Sequence, residues 1–209
     1  MKIKHLYLFI LIAFLSACTK ERENVEPVNE KTNPAPAPLA PCPQKYYYKN
    51  GQKVFVSVSD TMVAVAFEGV TPSVKVSTLN SFGFLQPVDT FITNNMFMFQ
   101  VKFKGQENCH TVKTKSDLME QNPNIAFVSP VINGRWSYTD EFIVKLKSPN
   151  HIQLLKQLAL ANNCNYVEDI GINAHVLTVN KTSSKDALDM ANLFYETGNF
   201  EWAEPNVIW

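Results

Sequence analysis

Residues 142–160 read FIVKLKSPNHIQLLKQLAL and contain the signals that decide the fold. Phe142, Val144 and Leu146 alternate with a second set of side chains that includes two lysines, which is the two-residue period of a strand. Ser148-Pro149 then supplies an N-cap and a first-turn proline. The apolar residues that follow recur at helical spacing: Ile152, Leu155, Leu158 and Ala159. The stretch therefore predicts a strand followed by an amphipathic helix.

The residues after this helix predict a hairpin, a second helix and a last strand. Tyr166–Ile170 and Val176–Val179 are short runs rich in β-branched residues, and Gly171 and Asn173 between them are turn residues. Ser183 and Asp186 resemble a capping box, and Gly198 is placed to end the helix. One face of that helix is apolar: Ala187, Met190, Ala191 and Phe194. The last 70 or so residues thus predict the order β-α-β-β-α-β.

Two runs in this region resemble a known family. They are Phe142–Lys147, which opens the unit, and Asn192–Tyr195 with Ala203-Glu204-Pro205-Asn206, which closes it. They resemble the propeptide-inhibitor domain of subtilisin-like serine proteases, especially the larger pro-regions of secreted bacterial subtilases. The resemblance covers Asp140 to Trp209. More loosely it covers Tyr46–Asn133, through the aromatic run Tyr46-Tyr47-Tyr48-Lys49-Asn50-Gly51.

The resemblance implies a ferredoxin-like α+β fold and a binding function rather than catalysis. The partner would be a subtilisin-like serine protease outside the cytoplasm, which this chain would inhibit or help to fold. A C-terminal tail would run product-like through the substrate cleft, since extended peptides bind by adding a strand. The tail residues are Glu204, Pro205, Asn206, Val207, Ile208 and Trp209. No cofactor is implied.

The sequence lacks the catalytic motifs of the parent family. No Asp-Ser/Thr-Gly, His-Gly-Thr-His or Gly-Thr-Ser-Met-Ala occurs, and the four histidines sit in no such setting. We therefore expect no enzymatic activity.

The first half of the chain reads as a degraded copy of the second. Asp117–Pro130 aligns without gaps on Asn192–Pro205, and Met62–Phe67 and Met96–Phe103 would be the matching strands. Between Thr71 and Thr93 the β-prone residues predict extra strands in place of the first helix. The expected fold is therefore two tandem ferredoxin-like propeptide units (βαββαβ), the first degenerate and β-rich, over residues 44–134 and 135–209.

The N-terminal region predicts secretion and lipid attachment. Residues 1–17 have two lysines and then an apolar core, and Leu15-Ser16-Ala17-Cys18 matches the lipobox of bacterial lipoproteins. Cys18 would carry acyl chains that hold the protein at a membrane of the cell envelope, with the outer membrane favoured and surface exposure left open. Residues 18–43 have the charged and Pro/Ala-rich composition of a tether.

Charge and cysteine content exclude some classes of function. Removing residues 1–17 leaves 17 basic against 19 acidic side chains and no basic cluster, so nucleic-acid binding is not expected. No cysteine pair has metal-ligand spacing, so no metal site is expected. Cys42 and Cys109 could form a disulfide in an oxidising envelope. Cys164 is expected to be a buried, small apolar residue.

Two other interpretations of the sequence remain open. The chain could be an orphaned or truncated pro-region of a subtilase with no independent function. It could also be a surface lipoprotein that binds glycan or a host protein through its aromatic residues: the run Tyr46–Tyr48, Phe91, Phe97, Phe99 and Phe103.

Overall fold

A computed structural model describes residues 44–88 and 97–208. The fold is α+β, and every strand pairing within the described residues is antiparallel. These residues belong to one compact unit, Ala40–Trp209. They form a two-stranded, a three-stranded and a four-stranded sheet with four helices.

The described residues of the first half form five strands and two helices. In chain order they are β1 (Lys45–Lys49), β2 (Gln52–Val56), β3 (Val58–Phe67), α1 (Pro72–Asn80), β4 (Met98–Lys102), α2 (Cys109–Glu120) and β5 (Ile125–Ile132). Strands β1 and β2 form a hairpin, and the three-stranded sheet has the order β4-β3-β5.

The second half has the predicted element order. It consists of β6 (Ser137–Leu146), a 3-10 turn (Pro149–His151), α3 (Ile152–Ala161), β7 (Asn165–Gly171), β8 (Ala174–Thr178), α4 (Ala187–Glu196) and β9 (Phe200–Ile208). The four strands lie in the order β7-β8-β6-β9, so β6 is paired on both sides.

Local signals place the helices of the second half with small differences from the prediction. Ser148 caps the 3-10 turn by accepting a hydrogen bond from the Asn150 amide, and α3 starts only after this turn. Asp186 caps α4 through the Asp189 amide at 2.9 Å. Ser183 takes no part in this cap. Its hydroxyl instead donates to the Asn163 carbonyl at 2.7 Å, which fixes the loop before α4.

Helix α1 shows that the prediction of extra strands between Thr71 and Thr93 is wrong for Pro72–Asn80, and residues 89–93 lie outside the described residues. Pro72 occupies its first turn, where a proline fits because no intrahelical hydrogen bond is lost there. Lys75, Thr78 and Leu79 are buried at helical spacing, and Leu79 belongs to the core of this half. Tertiary packing of this face therefore outweighs the β-propensity of Val74 and Val76. The first half is not helix-poor.

Each half has its own apolar core. In the first half, Val63, Val65 and Phe67 of β3 pack with Phe99 of β4 and Met119 of α2. The second core is larger and joins the inward face of the four-stranded sheet to α3 and α4. Its central side chains are fully or almost fully buried: Phe142, Val144, Leu146, Leu155, Leu177, Phe194 and Phe200.

The β1–β2 hairpin packs on the second half. The boundaries predicted from the sequence, residues 44–134 and 135–209, had placed it in the first half. Val56 belongs to the second core and Tyr47 packs against it, with the Tyr47 ring 6.1 Å from that of Trp136. The turn residues Asn50 and Gly51 have φ values of 51° and 77°, as a tight hairpin turn requires. The hairpin thereby covers part of the helical layer.

Charged and polar side chains fix the hairpin to α4. The Lys45 ammonium lies 2.7 Å from a carboxylate oxygen of Asp186 and also contacts Asp189. Burial opposes its charge, but the two carboxylates outweigh this and raise the pKa of Lys45. The Asn192 side chain donates to the backbone carbonyl of Tyr46 at 2.7 Å. These contacts connect residues about 140 positions apart in the chain.

Glu196, at the end of α4, forms a second anchor for the hairpin. The hydroxyls of Tyr48 and Tyr46 donate to its carboxylate at 2.8 and 2.9 Å. Lys53 lies 3.2 Å from the same carboxylate and 4.1 Å from the centre of the Tyr46 ring. The hydrogen bonds from Tyr48 and Tyr46, assisted by Lys53, lower the pKa of Glu196.

This lowered pKa predicts an acid-sensitive contribution of Glu196 to stability. The folded-state pKa lies below the usual 4.5, so the contribution is complete above that pH and is lost as the pH falls through the folded-state value. Glu196→Gln should lower the free energy of unfolding at pH 7 by no more than about 1 kcal/mol, because the pair is exposed. The difference from wild type should shrink towards pH 3 in urea unfolding series.

The control for this experiment is Asp117→Asn, which removes the carboxylate of the exposed Lys113–Asp117 pair on α2. It should change the free energy of unfolding by about 0.5 kcal/mol or less. A Glu196→Gln deficit that stays constant between pH 7 and pH 3 would show that the carboxylate charge does not stabilise the hairpin.

Candidate protein-binding surface

Helices α3 and α4 cover one face of the four-stranded sheet, and no helix of residues 44–88 and 97–208 shares a core cluster with the other face. Along β6, Phe142, Val144 and Leu146 point into the core with α3 and α4. Ile143 and Lys145 alternate with them and therefore lie on the opposite face. Within the described part of the chain, none of the three core clusters includes Ile143, Val176 or Trp202 on that face. We call it the bare face.

Strand register places an apolar patch at the centre of the bare face. Ile143 pairs with Val176 of β8 on one side and with Glu204 of β9 on the other. In the next row, Lys145 pairs with Trp202. Directly paired residues of antiparallel strands share a face, so Ile143, Val176 and Trp202 lie on one face, with Val176 beside Ile143 and Trp202 diagonal to it. Ile143 and Trp202 are half-buried and remain partly accessible, whereas Val176 is buried.

Acidic side chains surround this patch. Glu168 and Glu204 are exposed at opposite ends of the Ile143 row, and Glu201 is exposed at the edge of β9. Glu141 accepts a hydrogen bond from the Asn206 amide group at 2.8 Å. Lys145 is the basic member of this set and lies 3.3 Å from Glu201. The bare face therefore suits a partner surface with an apolar centre and basic surroundings.

The predicted tail residues Glu204, Pro205, Asn206, Val207 and Ile208 form the end of β9, and their contact with a protease stays a prediction. Val207 pairs with Tyr138 and Ile208 with Ser137, so the first residues of β6 take up this segment. The register shifts between Tyr138 and Phe142, which separates these two pairs from the main part of the β6–β9 ladder. Trp209 lies outside the described residues.

Ile208 also connects the end of the chain to the first half. It packs against the helix-free side of the three-stranded sheet, where Ala64, Ala66, Met98 and Val131 are buried. The prolonged β6 supplies the backbone partners and the first half supplies the apolar contact. The end of β9 is thus part of the folded structure.

The predicted lipid site and the predicted disulfide involve residues outside the described part of the chain. Cys18 and Cys42 are these residues. Cys109 is disulfide-bonded, and Cys164, the other described cysteine, is a free thiol. The partner of Cys109 is therefore not a described residue, and Cys42–Cys109 stays a prediction. Burial raises the pKa of Cys164 to about 11. Cys164 is thus a buried residue, as the sequence predicted.

The described residues contain neither a candidate metal site nor a candidate membrane-spanning helix. Within residues 44–88 and 97–208, no group of three or more His, Cys, Asp or Glu side chains could hold a metal ion. In the same ranges, no helix has the length and apolar character to cross a membrane.

The aromatic residues suggested for glycan binding have structural roles where they are described. Phe99 and Phe103 are 3% and 2% exposed and belong to the first core. The hydroxyls of Tyr46 and Tyr48 hold the hairpin to Glu196. Phe97 is about half exposed and lies 6.0 Å from the Phe127 ring. Phe91 lies outside the described residues.

Comparison with known proteins does not assign a family. No protein-family model matches the chain, and no curated protein matches it. Among solved structures it is similar to the acetolactate synthase small subunit from Thermotoga maritima, with 10% sequence identity and a TM-score of 0.26. The match covers 71% of this chain and 94% of that one. A likeness at this level supports no conclusion about function.

The paired end of β9 predicts that truncation destabilises the protein. Deleting Val207–Trp209 removes two cross-strand pairs and the apolar contact of Ile208. We expect the free energy of unfolding to fall by about 2 kcal/mol. The melting temperature should drop by about 4–8 °C in a thermal scan. Val207→Ala, at a position 39% exposed, is the control and should change little. An unchanged melting temperature after the deletion would refute the stabilising role of this segment.

Proposed function

We propose that this chain is a membrane-anchored, non-catalytic binding protein for a subtilisin-like serine protease outside the cytoplasm. It acts as an inhibitor or folding helper and docks through the bare face. The observation that carries the proposal is the apolar patch of the partly accessible Ile143 and Trp202 with the buried Val176 beside Ile143, which is rimmed by acids and left out of the described cores. A sheet with helices on one side exposes such a face for a partner.

The proposal includes a tandem arrangement of two ferredoxin-like units. In the second, the order β7-β8-β6-β9 puts the first and third strands at the centre, as that fold requires. In the first, β4-β3-β5 repeats the order of the third, first and fourth strands. Helices α1 and α2 then correspond to α3 and α4. Between α1 and β4, the described residues contain an isolated bridge between Leu85 and Phe103 in place of a second strand, so the first unit is the degenerate copy.

Product-like insertion of the tail requires a local rearrangement. Val207 and Ile208 have to leave Ser137 and Tyr138 before they can enter a substrate cleft. The register shift in the β6–β9 ladder makes this end separable from the pairs between Phe142 and Leu146. Docking through the bare face does not need the rearrangement, so it is the primary contact in this proposal.

Anchoring at a membrane completes the proposed function. A lipid on Cys18 and the tether over residues 18–43 would hold the folded part close to the membrane, in the envelope or at the cell surface. A protease that is secreted past this surface would meet the bare face there. The alternative of an orphaned pro-region keeps the same fold and predicts no binding.

Inhibition kinetics test the proposal. The full-length chain, purified in detergent, should inhibit subtilisin in competition with a peptide substrate. Ile143→Lys should raise the inhibition constant at least about tenfold. It removes an apolar contact with the protease of about 1.5–3 kcal/mol, and it adds a positive charge that the basic groups of the protease repel. Gln153→Lys, on the exposed side of α3, adds the same charge and should leave inhibition unchanged.

Thermal scans of both variants separate loss of binding from loss of folding. Inhibition that Ile143→Lys leaves intact would exclude the bare face as the docking surface. Absence of inhibition by the wild-type chain would favour the orphaned pro-region.

Lipid attachment is tested separately. Cys18→Ala should abolish incorporation of labelled palmitate and release the protein from membrane fractions, because Cys18 is the only residue of the lipobox that accepts the lipid. Labelling that persists in this variant would contradict the anchor.

A further inference from the structure

The turn between β7 and β8 contains a residue that local structure does not favour. Gly171, Ile172 and Asn173 all have positive φ, with values of 85°, 49° and 61°. The left-handed conformation costs an L-residue roughly 1–2 kcal/mol, and for a β-branched residue it is an outlier. Ile172 is therefore placed where its own backbone preference opposes the fold.

Two other hairpin turns of the same chain show the usual solution. Asn50-Gly51 and Asn133-Gly134 also have positive φ at both positions, with Asn at 51° and 50°. Asn-Gly is the preferred pair for such turns. At the third turn, Ile172 occupies the first position and is followed by Asn173. Of these three turns, the one between β7 and β8 alone lacks the Asn-Gly pair.

The fold gains no burial from Ile172. Its side chain is 80% exposed. Hydrogen bonds of its neighbours fix the turn, since the side-chain carboxylate of Asp169 accepts one from the Gly171 amide at 2.8 Å. The Asn173 carbonyl accepts one from the Leu146 amide, also at 2.8 Å. An asparagine at position 172 would keep these bonds and remove the strain.

The surroundings of Ile172 extend the bare face. Gly171 pairs with Ala174, and Ala174 pairs with Lys145, whose other partner is Trp202. The turn thus begins where the Trp202 row ends. Ile170 and Val167 on the same edge strand are 47% and 48% exposed. Glu168 pairs with Val176 and carries an exposed carboxylate on the bare face, whereas Asp169 pairs with His175 and belongs to the opposite face.

We infer that the tip of this hairpin, Ile172 with Ile170, is a second contact for the protease partner. The inference rests on the proposed function, because the tip continues the surface assigned to that partner. The receiving site is an apolar pocket with a basic group at its rim, complementary to Glu168. A strained backbone at an exposed apolar side chain is typical of a binding contact. Burial of that side chain against the partner then offsets the free energy that the strain costs the isolated fold.

Ile172→Asn in the full-length chain tests this inference because its two expected effects have opposite signs. Relief of the strained backbone should raise the melting temperature by about 2–4 °C. Loss of the apolar contact should raise the inhibition constant for subtilisin about tenfold or more. Leu160→Gln is the matched control, since Leu160 is 79% exposed on α3 and lies away from the bare face. It should leave inhibition unchanged.

Each outcome is decisive. Inhibition by Ile172→Asn equal to that of wild type would refute the tip contact and leave the proposed function standing. A lower melting temperature would show that Ile172 serves the fold and would refute the argument from strain. Absence of inhibition by every chain would refute the proposed function together with the contact. Self-association of wild type that Ile172→Asn abolishes, seen in sedimentation, would assign the tip to a second copy instead.

Discussion

Strand β6 is the element on which the rest of the structure depends. It pairs with β8 on one side and β9 on the other. It is ten residues long, and only Glu141–Lys145 of it pair with β8. Every second side chain between Phe142 and Leu146 enters the core, so the intervening ones must lie on the opposite face. The same backbone that builds the second core therefore creates the bare face.

The prolonged start of β6 has a further consequence for the end of the chain. Residues 137 and 138 hold Ile208 and Val207 in the sheet, and the first half adds an apolar surface for Ile208. A chain that ended at residue 205 would have no such connection between its halves. The paired end of β9 thus ties the stability of the fold to residues that the family resemblance assigns to a partner's cleft.

Sequence periodicity predicted the second half well because its signals are local. The alternation in β6, the capping residue of α4 and the turn residues around Gly171 each act within a few positions. Helix α1 was missed because its β-branched residues favour a strand, and burial of Leu79 decides otherwise. The position of the β1–β2 hairpin had no local signal, since Lys45 meets Asp186 across 141 residues. The pairing of Ile208 was missed for the same reason.

The most direct test of the account is site-specific photo-crosslinking of the full-length chain to subtilisin. A benzophenone side chain at position 204, exposed on the bare face, should form a covalent adduct with the protease. The same group at position 156, exposed on α3, should form none. Adducts from position 156 alone, or from neither position under conditions where inhibition is measured, would contradict docking through the bare face.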